Sequence, residues 1–352
     1  MVHNINRRQA LRLGLGAAGV LAFNPLRRVL AAPGRVLKIN TLASAAAVNV
    51  PLQAALRELL PATAGFAMPA MQPTAKISQI VQEVVTGGAD LGDADIASTL
   101  TAAEAGAEVR IIGLSYSNTS QVIVANLDRI KTLADLGGDS VSVAVNSIGD
   151  FMYVMLQGVL DKHGIDAKKI NFIEMGSSGD RMRALLAGRV DAVPMHIEQA
   201  EQLKGVKGRG DFGILVRPWE EYDNWFSAVI ITTADWLKVK ENQDAAVAVL
   251  KSILTAFRQT DNDYGWYKSQ VGKWASSKDL KSAGDDVLRP VWQSLTTGIH
   301  AFPPDMASLT VEQMAKVIPV YQRAGALKGT VDLNTLIDRT WLDRALKELG
   351  AP

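Results

Sequence analysis

Short apolar runs that end in small polar residues recur along this chain, and the side chains fit for chemistry gather at those ends. Ser44 and Asn49 follow the run Val36 to Leu42. Asp93, Ala94 and Asp95 follow Ala89-Asp90-Leu91, and Tyr116, Ser117 and Asn118 follow Val109 to Ser115. Asn146, Ser147, Gly149 and Asp150 follow Val141 to Val145. Gly176, Ser177, Ser178 and Asp180 follow Ile170 to Glu174, and Pro194, Met195, His196 and Glu198 follow Val190 to Val193. If each run is a strand leading into a helix, these residues stand at strand carboxyl ends, where open α/β sheets hold ligands. Free N–H groups and the positive end of a helix dipole suit a carboxylate, sulfonate or phosphate there. Ser147 to Gly149 is the leading anion contact of the second half; plain N-capping by Ser147 is compatible with it. Ser177 and Ser178 offer a second such contact or a flexible turn with a cap. His196 donates to a ligand or satisfies a local carbonyl. Asp93 and Asp95 grip an amine or hydroxyl, or cap the helix that follows. Arg181 and Arg183 open a helix, where the dipole disfavours cations, and read as a solvent-facing pair. Trp219, Tyr222, Trp225 and Phe226 pack together, or Trp225 stacks on a flat ligand.

Bond-making chemistry finds little support. No G-x-S-x-G nucleophile turn and no Walker loop is present. The one G-x-G-x-x-G match, Gly14 to Gly19, lies in the N-terminal apolar segment rather than after a strand. With no cysteine there is no thiolate ligand or cysteine nucleophile, and four histidines speak against a zinc cluster. Asp285-Asp286 and Glu220-Glu221 read as solvated. The expectation is a binding protein with no catalytic residue, no metal and no cofactor. Lys and Arg number 37 against 36 Asp and Glu, so nothing draws the chain to nucleic acid.

Strands and helices must alternate to place these ends. Ile77, Ile80, Val81, Val84 and Val85 share one helix face, and Gly87-Gly88 stops it. Helices are also expected over about 51–60, 98–106, 148–163 and 180–187, with strands over 109–115, 121–125, 141–145, 170–174, 190–193 and 229–232. Asn49 is the expected N-cap of the first of these helices. From Thr233 onward the period is helical, with Val247, Leu250, Leu254 and Phe257 on one face. Strands separated by helices argue for open α/β sheets. Ile80 to Asp95 and Arg181 to His196 share a phrase: apolar helix, Gly stop, short apolar strand, polar turn. They lie about 100 residues apart, which suggests two lobes of like design.

The first 31 residues read as an address. Arg7 and Arg8 precede the mostly small and apolar run Leu11 to Phe23, which is too short for the ~20 residues of a membrane span, and Ala31 and Ala32 follow. NRRQALR is similar to the twin-arginine export motif at Arg7, Arg8 and Leu11, and departs from it at Asn6 and Ala10. Arg27 and Arg28 disfavour the general secretory route. Cleavage is expected between Ala31 and Ala32, releasing a soluble periplasmic protein.

The stretches VTGGADLGDADIASTLTAAEAGAEVRIIG, IKTLADLGGDSVSVAVNSIGDF, LLAGRVDAVPMH and WFSAVIITTADWLK, in this order, resemble the periplasmic substrate-binding proteins of ABC importers. The nearest group is the nitrate, sulfonate and taurine type, which also includes binders of pyrimidine thiamine precursors. The likeness covers roughly 35–257. Asp135 to Val141 lacks the lysines the family carries there, which leaves the ligand class open. The resemblance implies an α/β, two-lobe periplasmic binding protein of type II, with two crossing strands and a helical C-terminal part. Lobe one would comprise 35–118 and 222–352, and lobe two 119–221, joined near Ser115 to Val122 and Val216 to Trp225. It implies capture of a small organic acid, sulfonate or heterocycle by hinge closure, as a monomer, with delivery to an ABC permease and ATPase in the inner membrane. A TRAP-type (TAXI-like) receptor and an exported cofactor-dependent enzyme are the alternatives.

Replacing Arg7 and Arg8 together with Lys is expected to abolish export by the twin-arginine route. The periplasmic yield and the mass of the mature chain, beginning at Ala32, measure it; an unchanged yield points to the general route.

Overall fold

The computed structural model describes residues 34–42, 45–63, 65–74, 77–203, 206 and 210–352. The expected export signal and Ser44 lie outside them. The strands are β1 (Lys38–Leu42), β2 (Ala70–Thr74), β3 (Leu91–Asp95), β4 (Val109–Tyr116) and β5 (Gln121–Asn126). They continue as β6 (Ser142–Val145), β7 (Asn171–Glu174), β8 (Ala192–His196), β9 (Phe212–Val216) and β10 (Ala228–Thr233). Two sheets result, ordered β2-β1-β3-β10-β4 and β7-β6-β8-β5-β9. Each has three parallel strands, then one antiparallel strand, then an edge strand antiparallel to that. The two lobes are therefore built alike, with β10 and β5 in equivalent places. The chain passes from the first sheet to the second between Tyr116 and Gln121 and returns between Val216 and Ala228.

The repeated phrase has a structural counterpart. Helix α1 (Ile77–Val85) leads through Gly87, at φ 78°, into β3. Among the later helices, α2 (Ile96–Glu104) follows β3 and α3 (Phe151–Lys162) follows β6. Helix α4 (Ser178–Leu186) leads through Gly188, at φ 67°, into β8. Glycine tolerates the left-handed backbone that ends each helix.

β3 and β8 start and end later than the apolar runs suggest. Asp93, Ala94 and Asp95 pair with Ile230, Val229 and Ala228, while Pro194, Met195 and His196 pair with Ile123, Val122 and Gln121. These polar residues close the strands instead of standing in the loops beyond. Both strands are central, so pairing with strong neighbours outweighs the poor strand preference of Asp, Gly and Pro. Two edge strands lie outside the expected set: β2, which carries no clear apolar run, and β9, which carries the run Phe-Gly-Ile-Leu-Val; Pro73 is tolerated in β2 because it is an edge. The helix expected from 148 begins at Phe151, because Gly149 is held at φ 84° and Asp150 caps. The first helical run covers residues 50–62, and Asn49 ends a short 3-10 turn before it. The Asn49 carboxamide accepts from Ala46 N–H at 3.2 Å and caps no helix.

Apolar residues on both faces of β5 are buried: Ile123 and Ala125 join one core, Val122 and Val124 the other. Such two-sided burial explains its unbroken apolar run. The first core extends into lobe one through Phe151, Trp225, Phe226 and Val320. The C-terminal part is helical, as its period requires. After α5 (Ile197–Leu203), which follows β8 in lobe two, it comprises α6 (Lys240–Asn262), α7 (Tyr264–Trp274), α8 (Asp285–Gln293), α9 (Ile318–Arg323) and α10 (Thr340–Leu349), among shorter turns. Val247, Leu250, Leu254 and Phe257 of α6 are buried. Among the described residues no helix is long and apolar enough to cross a membrane.

Helix α9 of lobe one rests on α3 of lobe two at Gly158. A Cβ there would lie 2.5 Å from Val320 Cγ1 and 3.2 Å from the Trp225 ring. Gly158→Ala must push the two helices apart. A loss of about 1–3 kcal/mol is expected from such overpacking, measured by denaturant unfolding.

Candidate functional site

The end of β3 lies against the first turn of α3 across the lobes, and the groups gathered there are charged. Asp95 N-caps α2, accepting from Ala97 and Ser98 N–H at 3.0 Å each and from the Ser98 hydroxyl. The backbone N–H of Phe151, the first residue of α3, lies close enough to draw its pKa down slightly against the rise that burial causes. Asp150 N-caps that same helix, accepting from Tyr153 N–H at 2.9 Å and Ser147 N–H at 3.0 Å. One carboxylate from each lobe thus sits on the first turn of α3. Asp93, two residues before Asp95, accepts from the buried Ser115 hydroxyl.

The carboxyls are perturbed upward. Burial pushes Asp93 up to about 6, against the pull of its Ser115 hydrogen bond. Burial raises Asp95 as well. Asp150 is pushed up to about 7, first by burial and further by the charge of Asp95, with Arg181 acting the other way. Burial and the charges of Asp93 and Asp95 raise the Tyr116 phenol. The buried Tyr321 of α9 is raised by burial and by Asp95 and Asp150, and its hydroxyl has no hydrogen-bond partner.

Arg181 corrects the expectation of a solvent-facing pair. It is 2% exposed, whereas Arg183 stays at the surface in an ion pair with Asp180. Its Nε donates to Pro194 C=O at 3.0 Å, and a terminal nitrogen donates to Gly176 C=O. Carbonyls and the nearby Asp150 offset the cost of burying the guanidinium, which is weakly hydrated to begin with. Its pKa is lowered by burial to about 10, so it keeps its charge at neutral pH. His196 is held neutral: burial, and then Arg181, lower its pKa to about 3. Its Nδ1 lies 2.8 Å from the Ser120 hydroxyl and its Nε2 3.1 Å from Gln121 Nε2.

The other expected site residues disperse. Ser147 donates to Asn146 Oδ1 at 3.1 Å and leaves the capping of α3 to Asp150. Ser177, and not Ser178, caps α4, accepting from Asp180 N–H at 3.2 Å. The helix N-termini expected to await an anion already hold side chains of this chain: Asp95 on α2, Asp150 on α3 and Ser177 on α4. Ser117 donates to His300 C=O at 2.6 Å, and Asn118 donates to Asp223 C=O at 3.3 Å. Both line a cavity of about 340 Å³ at the crossing segments, with Asp223 and His300. Ala94 is buried inside β3. Trp225 is fully buried, edge-on to Phe151 at 6.0 Å and tilted on Tyr222 at 4.4 Å, and its Nε1 donates to Pro218 C=O at 3.1 Å. The packing reading accounts for all these contacts.

Tyr321 and Glu198 complete the contact between lobes. Glu198 of α5 accepts from Ala47 N–H of lobe one at 3.0 Å, and burial raises its carboxyl. A strand-end position marks Glu198 in the sequence; nothing marks Tyr321.

A family model described as NMT1/THI5 like matches residues 62–262, more than half of the chain. The chain belongs to the NMT1/THI5-like family. No curated protein matches it. Among solved structures it is similar to the periplasmic nitrate-binding protein NrtA from Synechocystis PCC 6803, with 14% identity and a TM-score of 0.71 over 91% of this chain and 90% of that one. It is similar to the periplasmic aliphatic sulphonate binding protein SsuA from Escherichia coli, with 18% identity and a TM-score of 0.65 over 86% and 92%. A ligand-binding component of an ABC-type import system from Staphylococcus aureus, with zinc bound, aligns at 12% identity and a TM-score of 0.68 over 88% and 99%. At these identities the likeness shows the fold, which is that of a two-lobe periplasmic binding protein.

The perturbed groups give this NMT1/THI5-like protein a distinctive pH response. An aspartate whose folded pKa exceeds its unfolded value holds its proton more tightly when folded, so stability falls as pH rises between the two. For Asp150 that window runs from 3.8 to about 7. His196 works the opposite way, adding stability as pH rises from about 3 to 6.5. Above 6.5 the Asp150 effect stands clear of it. Acidifying the ligand-free protein from about pH 8 to about pH 6.5 is expected to raise its stability by on the order of 1 kcal/mol. Asp150→Asn should lessen that slope, leaving the part due to Asp93, Asp95 and Glu198, which burial also raises; thermal melts across the interval measure it.

Proposed function

We propose that this chain is the solute-binding component of an ABC-type importer, not an enzyme. It captures a small polar compound between its lobes in the periplasm and delivers it to a membrane permease. Lobe one comprises 35–118 and 222–352, and lobe two 119–221. One observation carries the reading. Buried polar groups of the two lobes meet only when the lobes are together: Glu198 accepts from the Ala47 N–H, and Asp95 comes beside the Phe151 N–H. A cleft whose polar partners come from both sides couples occupancy to closure, because a ligand with contacts to both lobes stabilises the closed form alone. The two crossing segments supply the hinge. The fold shared with nitrate- and sulphonate-binding proteins supports the same reading.

A panel of organic acids, sulfonates, amines and neutral heterocycles tests it by thermal shift and small-angle scattering. One class is expected to raise the melting temperature and compact the protein. Saturation at about a hundred times Kd adds ~2.7 kcal/mol of apparent stability. The compound should be recovered chemically unchanged. Turnover of the bound compound would count for the enzyme alternative.

A further inference from the structure

Three carboxylates, Asp93, Asp95 and Asp150, converge on the contact between the lobes, and the charges around them do not balance. The groups electrostatically coupled to them are Tyr116 on β4, Arg181 on α4 and Tyr321 on α9, with His196 on β8 coupled to Arg181. Only Arg181 among these carries positive charge. Two of its nitrogens already donate to Pro194 and Gly176 carbonyls. His196 is neutral and tied to Ser120 and Gln121. The first turn of α3 receives Asp95 and Asp150 together, and one helix end supplies roughly half a unit charge. A second observation points into the same place. The Tyr321 hydroxyl is fully buried beside Asp95 and Asp150 and has no partner. Buried polar groups of native proteins are nearly always partnered, so an unmet hydroxyl beside surplus carboxylates marks a position for a ligand atom.

We propose that the ligand's recognised end is a cation rich in N–H donors, an ammonium, amidinium or guanidinium group, held by Asp93, Asp95, Asp150 and the Tyr321 hydroxyl. The carboxylates accept from its N–H groups, and so does the Tyr321 oxygen. Its charge offsets the two acids that closure forces onto one helix turn. A nitrate or sulfonate at this place would add negative charge to a buried acidic cluster, where unpaired charge is costly. The inference rests on the solute-capture reading and names the ligand chemistry within it.

Benzamidinium and benzoate have the same shape and opposite charge, so they isolate the point; benzenesulfonate extends the anionic arm. Calorimetry and thermal melts of the purified protein are expected to show binding of benzamidinium and none of the two anions. Asp150→Asn retains the caps, since Asn accepts as Asp does, and should weaken benzamidinium binding about ten- to hundredfold. Tyr321→Phe removes only the unmet hydroxyl. It should weaken binding about threefold or more while the free protein melts no lower than the parent. Binding of benzoate or benzenesulfonate in preference to benzamidinium overturns the charge assignment. So does benzamidinium binding that both variants leave unchanged. No response to benzamidinium, methylammonium or guanidinium also overturns it, and closure on any other compound would then leave solute capture standing.

Discussion

The first turn of α3 is where the two lobes make their electrostatic settlement. Asp150 belongs to that helix and would cap it in any arrangement of the lobes. Asp95 belongs to the other lobe, caps its own helix, and comes beside the Phe151 N–H only when the lobes are together. Bringing the lobes together thus sets two carboxylates near one helix dipole. Burial, and then the charge of Asp95, displace Asp150 upward, and neither its two backbone donors nor Arg181 cancels this. On the proposed solute-capture reading, a closed form poised in this way responds to anything bringing positive charge to the cluster, a proton included.

The apolar contacts tell the same story from the other side. Trp225, Phe151, Phe226 and Val320 make a continuous core between the lobes, and Gly158 lets α3 and α9 meet with no side chain between them. Burying this surface favours closure without regard to what fills the cleft. The backbone around the crossing segments carries a local cost of its own. Phe226, His300 and Met306 stand at φ 50°, 51° and 49°, a conformation side-chain-bearing residues rarely adopt. Ser117 holds the carbonyl of His300, so one of these positions is tied directly to the first crossing. On the proposed reading, apolar packing and buried charge oppose each other, which suits a lobe equilibrium that a small solute can tip.

How much of this was legible beforehand follows from the range of the forces involved. Strands with apolar residues on both faces, such as β5 and β6, announce themselves through unbroken runs, and the α1-to-β3 and α4-to-β8 phrases exposed the likeness of the lobes. The strand ends were misplaced because Asp93, Asp95 and Pro194 are poor strand residues held by pairing with distant partners. The Asp95 cap was readable because its donors lie two and three residues away. Arg181 was not readable, since local rules put a cation at a helix start in solvent. Its acceptors, Gly176 in the loop after β7 and Pro194 inside β8, are brought together by the sheet. Tyr321 was silent for the same reason: it meets Asp95 and Asp150 only through the return of the C-terminal helices over α3.

The two sheets are built to one plan, yet their equivalent strand ends carry opposite chemistry. β3 finishes Asp-Ala-Asp and β8 finishes Pro-Met-His, with Arg181 beneath it. Lobe one supplies acceptors. Lobe two supplies a cap carboxylate, a charged guanidinium occupied by carbonyls, and an imidazole kept neutral by burial and then by that guanidinium. The backbone frame, fixed by strand pairing, explains how the fold can be shared at 12–18% identity. On the proposed reading, selectivity resides in a few side chains at the ends of two central strands, where a change of charge leaves the sheet pairing intact. The internal repeat would then set where a ligand is held, and the departure from it at residues 93–95 and 194–196 what is held.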